Sequence, residues 1–73
     1  MMNEFKIRAY GRMELAQLYS PTLTDIAAYR KMKKWIMVCP GLLQRLYDLG
    51  YDPQRRSFTP LEVRVIVDAL GEP

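Results

Sequence analysis

The chain has 73 residues, 49% of them apolar and 26% charged, with no histidine, a single cysteine and a formal charge of +3. These figures fit one small globular domain rather than a disordered segment. They exclude an internal disulfide, a zinc site of ordinary type and any catalytic arrangement built on an imidazole.

Between Met1 and Tyr10, the charges of Glu4, Lys6 and Arg8 stand where the apolar stretch of a leader would have to be. In the same segment Phe5, Ile7 and Ala9 alternate with Lys6, Arg8 and Tyr10, which predicts a short half-buried strand over Phe5–Ala9, stopped by Gly11. Arg12–Tyr19 follows as a two-turn amphipathic helix carrying Met13, Leu15, Ala16, Leu18 and Tyr19, and Ser20-Pro21 ends it because proline pushes its predecessor out of the helical region. Thr24 is the favoured cap of a longer helix that runs to Val38, with Asp25 complementing its positive end. On a helical wheel, Ala28, Tyr29, Met32, Trp35 and Ile36 fall within about 120°, and the basic residues take the opposite arc of about 160°. After Pro40-Gly41 a third helix spans Leu42–Leu49 on a leucine stripe and closes at Gly50. A polar excursion turns at Asp52-Pro53 and leads through Arg55-Arg56 into a short strand at Arg56–Phe58. Thr59-Pro60-Leu61-Glu62 combines a capping box with proline at the first helical position, starting a last helix on Val63, Ile66, Val67 and Leu70 that Gly71 closes.

The expected fold is therefore mainly α with a small two-stranded β pair, in the order β-α-α-α-β-α. The short and long helices, joined by Ser20-Pro21-Thr22-Leu23, suit a helix-turn-helix, and the excursion after the third helix suits a wing. Charge is distributed unevenly along this frame. Residues 1–38 hold seven basic and three acidic side chains, whereas residues 39–73 hold four basic and five acidic. Arg30, Lys31, Lys33 and Lys34 lie within five consecutive positions, and Arg55-Arg56 form a second, smaller cluster. Two basic patches on a weakly charged body point to an anionic partner, and nucleic acid is the commonest. The candidate contacts to double-stranded DNA are thus Arg30, Lys31, Lys33 and Lys34 on the helix, with Arg55 and Arg56 assisting from the wing. The helix lacks Asn or Gln for bidentate adenine reading, so shape and backbone contacts should dominate.

The runs Phe5-Lys6-Ile7-Arg8, Tyr10-Gly11-Arg12, Glu14-Leu15-Ala16 and Tyr19-Ser20-Pro21 resemble a family of small uncharacterised proteins from gut Bacteroidales. Lys34-Trp35-Ile36, Gly50-Tyr51, Phe58-Thr59-Pro60 and the ending Leu70-Gly71-Glu72-Pro73 are similar to the same pattern. That resemblance implies a domain of unknown function and supplies no activity, cofactor or catalytic residue. Glu14-Leu15-Ala16 followed by a basic helix and a wing also resembles MerR-like and excisionase-like winged helices, which implies DNA binding.

The remaining features read structurally. Trp35 lies in the apolar arc and is expected in the core. Cys39, between apolar residues and Pro40, is expected as a buried, inert thiol. Five tyrosines are many for this length, and a cluster of them outside the helix stripes would favour a protein interface. The longest apolar run, Trp35 to Cys39, is far below the roughly 20 residues that span a bilayer. A chain this small also has little room for a substrate pocket. The expectation is a soluble cytoplasmic domain, not an enzyme, with no cofactor, metal or membrane contact. The alternative to DNA binding is a protein-interaction or self-association module.

Overall fold

The computed structural model describes residues 5–73, and Glu4 lies outside them. In chain order the elements are β1 (Tyr10–Gly11), α1 (Arg12–Tyr19), α2 (Asp25–Val38), α3 (Leu42–Asp48), β2 (Ser57–Phe58) and α4 (Pro60–Leu70). The mainly helical class and the β-α-α-α-β-α order are those expected from the sequence. Leu15 and Ala16 of α1, Ala28, Met32 and Ile36 of α2, Leu42 and Leu46 of α3, and Val63, Ile66 and Val67 of α4 converge with Tyr10 and Phe58 on a single core. The residues from α2, α3 and α4 are three or four apart, the spacing that places side chains on one face, while α1 supplies the neighbouring Leu15 and Ala16.

The first strand differs from its predicted position. Phe5–Ala9 forms no strand; β1 is Tyr10–Gly11, antiparallel to β2 with Tyr10 opposite Phe58 and Gly11 opposite Ser57. The physical reason lies in Tyr10. Its hydroxyl donates to the Lys6 carbonyl at 2.8 Å, and Phe5 stacks on its ring at 5.3 Å, so the segment doubles back on the tyrosine. Period-two alternation places Phe5, Ile7 and Ala9 on one face, but a two-residue ribbon offers no sheet to cover that face. Ile7 accordingly stays exposed while Tyr10 enters the core.

Local chemistry sets most other boundaries. The Thr24 hydroxyl accepts from the Ala27 N–H and starts α2. At the end of α3, one residue short of its predicted limit, Gly50 adopts φ +89 while Tyr51 N–H donates to the Leu46 carbonyl and Gly50 N–H to that of Tyr47. This paired closure is a Schellman motif; it needs a left-handed residue, which glycine adopts without a steric penalty, and it fixes where Tyr51 sits. In the excursion that follows, Asp52 Oδ1 accepts from Gln54 N–H at 2.9 Å, so the turn expected at Asp52-Pro53 is closed by its own side chain. At α4 the capping box is complete: Glu62 N–H donates to Thr59 Oγ1 at 3.2 Å, and Thr59 N–H donates to Glu62 Oε1 at 2.9 Å.

Trp35 is also placed differently from expectation. It is half-buried at the margin of α2, with its ring edge-on to Tyr19 at 6.2 Å. The centre of the apolar arc is taken by Ala28, Met32 and Ile36, and an indole is seldom covered completely by a helix as short as α1. Cys39, expected to be buried, is left partly exposed. No helix among the described residues is long and apolar enough to cross a membrane.

Candidate functional site

The α1–α2 pair is a helical hairpin whose turn is pinned from both sides. Leu23 N–H donates to the Ser20 carbonyl at 3.1 Å, and the Gln17 side-chain amide donates to the Leu23 carbonyl at 2.6 Å. With Ala28, Met32 and Ile36 facing inward, the opposite arc of α2 faces solvent, and Arg30, Lys31, Lys33 and Lys34 are all exposed there. Only two ion pairs form among the described residues, Arg8–Glu14 and Arg55–Glu62, so no described carboxylate compensates these four cations.

The four do not point to one place. At 100° per residue, Lys33 and Lys31 leave the helix about 160° apart, with Arg30 and Lys34 between them. Lys33 stands beside Tyr29, its Nζ 5.6 Å from the ring centroid. Lys31 turns to the other flank, 5.2 Å above Trp35. The Lys33 flank is the one that meets the Asp52–Arg56 excursion. The Arg12 guanidinium lies over the same Tyr29 ring at 5.0 Å, and Arg12 Nη1 donates to the Pro53 carbonyl at 3.3 Å. Arg12 N–H also donates to the Arg56 carbonyl at 2.9 Å, while Arg12 and the exposed Arg56 line one shallow depression of about 440 Å³. Lys33, Tyr29, Arg12, Pro53 and Arg56 therefore form one connected stretch from the basic helix to the excursion.

Arg55 and Arg56 have different surroundings. Arg55 pairs with both carboxylate oxygens of Glu62, whose side chain is 1% exposed, and its Nε donates to the Ser57 carbonyl at 3.0 Å. Its charge is compensated and it braces the loop onto α4. The excursion is a braced loop rather than a β-hairpin, because β2 pairs with the distant β1. Arg12 was missed in the sequence although a signal was present. A cation at the first position of a helix opposes the macrodipole, which gives a tertiary partner such as the Pro53 carbonyl something to offset.

Burial raises the Tyr51 hydroxyl to about 12, with nearby Tyr29, Tyr47 and Glu62 adding to the shift. Burial likewise raises Tyr19 to about 12, helped by Glu72, and the Tyr19 hydroxyl donates to the Gly71 carbonyl. Arg8, hydrogen-bonded to Glu14, holds that carboxyl below the usual carboxylate range. Both phenols favour the neutral form in the fold, so the stability they support is fully present below the unfolded value of about 10 and is lost as pH rises toward 12. A spectrophotometric titration should show two phenolates forming late, in step with loss of stability; five tyrosines ionising together near the ordinary value would contradict this packing.

Residues 6–73 match the family described as a domain of unknown function, DUF4248. The chain belongs to that family. The match spans β1 through α4, so the whole described fold is the DUF4248 domain. Comparison with curated proteins and with solved structures gave no match. The family's description assigns no activity, and the described residues contain no cluster of three or more metal-ligating side chains.

Proposed function

We propose that this domain is a non-catalytic, cytoplasmic binder of double-stranded DNA that acts through a helix-turn-helix-like pair and a wing-like loop. In this reading α1 crosses the phosphate backbone, the outer arc of α2 enters the major groove, and the Asp52–Arg56 loop lies against the adjacent backbone. The likeness to MerR-like and excisionase-like winged helices belongs to the same reading. The observation that carries it is the position of Arg12, which joins the basic arc of α2 to the loop through Tyr29 and Pro53. Arg30, Lys33, Lys34, Arg12 and Arg56 then form the contact set, with Lys31 at its far edge and Arg55 as a brace rather than a contact. Lysine and arginine dominate that set, so it holds phosphates more than it reads bases.

The test is fluorescence anisotropy of a random-sequence duplex titrated with the protein at about 50 and 200 mM salt. Neutralising four to six phosphates gives a log–log salt slope of roughly −4 to −5. Absence of binding even at low salt would refute the reading. A second reading, a protein-interaction module, is favoured by the three tyrosines Tyr29, Tyr47 and Tyr51 gathered beside α2 and α3. Tyr47 and Tyr51 lie 5.8 Å apart, and Tyr47 is 46% exposed.

A further inference from the structure

Beside the basic arc runs a groove of about 210 Å³ with apolar walls. Ile36 and Met37 of α2 form one wall, Leu43 and Tyr47 of α3 the other, and Tyr51 and Pro53 of the following loop close one end. Lys33 stands at its edge, and no acidic residue lines it. We propose that this groove is a docking site for an acidic peptide segment of a protein partner, which seats an apolar side chain between α2 and α3 and sets a neighbouring Asp or Glu against Lys33. The proposal deepens the second reading above and holds whether or not the chain also binds DNA.

Three features select that occupant. The volume lies below the roughly 300–1,000 Å³ of small-molecule sites, and suits an apolar side chain or two rather than a metabolite. Met37 and Tyr47 remain 67% and 46% exposed on its walls, an adjacent apolar pair of the residue types enriched at protein interfaces. Lys33, with no carboxylate partner among the described residues, makes the edge complementary to an acid. A phosphate backbone would satisfy the lysine but leave the apolar walls uncovered, so nucleic acid fits this groove poorly.

The groove is also preorganised. Ile36 is buried, and Tyr51 stacks on the buried Phe58 with centroids 5.8 Å apart and planes within 14°. The Schellman closure of α3 holds Tyr51 in that position, and a rigid receptor lowers the ordering cost of binding.

The experiment is selection of a random-peptide phage library on the full chain, followed by fluorescence polarisation of a labelled peptide made from the consensus. The expected consensus pairs a large apolar residue with Asp or Glu. Met37→Asp and Lys33→Glu, both at exposed positions, should each raise Kd by about tenfold or more. Lys34→Glu, on the same helix but outside the groove, should change it by less than about twofold while still weakening any DNA binding. A consensus without an acid, a Kd unmoved by Met37→Asp, or failure to select any binder would each overturn the proposal. So would loss of duplex binding in Met37→Asp with no peptide selected, which would assign the groove to the nucleic-acid face.

Discussion

Replacing Arg55 with alanine should destabilise the fold by about 2–3 kcal/mol, below the range for a fully buried ion pair because Arg55 is itself 35% exposed and water can approach Glu62 once the guanidinium is gone. Glu62 is 1% exposed, and its oxygens receive the Arg55 guanidinium and the Thr59 N–H. Without the guanidinium, a buried carboxylate keeps a single backbone donor. The reverse change is milder, because the Arg55 side chain is 35% exposed and can return to water. Glu62→Gln also preserves the capping box, so its cost should be only about 1–2 kcal/mol. Arg56→Ala, at an exposed position with no described ion pair, should stay within about 0.5 kcal/mol of the parent. At 73 residues the total stability is expected at about 4–11 kcal/mol, so Arg55→Ala removes a substantial share of it. Urea denaturation of the three variants decides the matter. Equal midpoints for Arg55→Ala and Arg56→Ala would show that the pair with Glu62 does not hold the loop.

The two neighbouring arginines show where sequence reading is strong and where it stops. The four helices were legible because their signals are local: Thr59-Pro60-Leu61-Glu62 carries a cap, a proline and a returning carboxylate within four positions. The three-and-four spacing of Ala28, Met32 and Ile36 gave the buried face of α2 in the same way. The division of labour between Arg55 and Arg56 was not legible. Glu62 was already explained by its capping role, and nothing in a seven-residue separation says that its second function is to receive Arg55 across β2. The N-terminal strand failed for a related reason. Alternation reports which residues could share a face, whereas the position of β1 was decided by Tyr10 meeting Phe58 from the other end of the chain.

The basic candidates were legible as residue types but not as a surface. A helical wheel gives the angle at which each side chain leaves α2, yet only the tertiary structure shows that the Lys33 flank meets Arg12 and the loop while the Lys31 flank meets Trp35. Arg12 entered the site through an interaction with Tyr29, seventeen positions away in sequence, which no local pattern encodes.

That asymmetry leads to the second large effect. If the domain holds DNA through the surface that Arg12 unites, single replacements of Arg30, Lys33, Lys34, Arg12 or Arg56 by glutamine should each reduce the magnitude of the salt slope by about 1. Each should also weaken binding at low salt on the order of tenfold, since every lost phosphate contact forgoes the release of its counterion. Lys31→Gln should leave the slope within error, because Lys31 faces the Trp35 flank, away from the loop. Arg55→Gln should weaken binding only in step with lost folding, so its slope, corrected for the folded fraction, should match that of the parent. The readout is the slope itself rather than affinity at one salt concentration, because a destabilised variant loses affinity without losing a phosphate contact. A six-residue surface read from the sequence alone would have Lys31 and Arg55 behave like the others. An equal reduction across those six, Lys31 and Arg55 included, would return the interface to a diffuse basic patch, and an unchanged slope for Arg12→Gln would remove Arg12 from it.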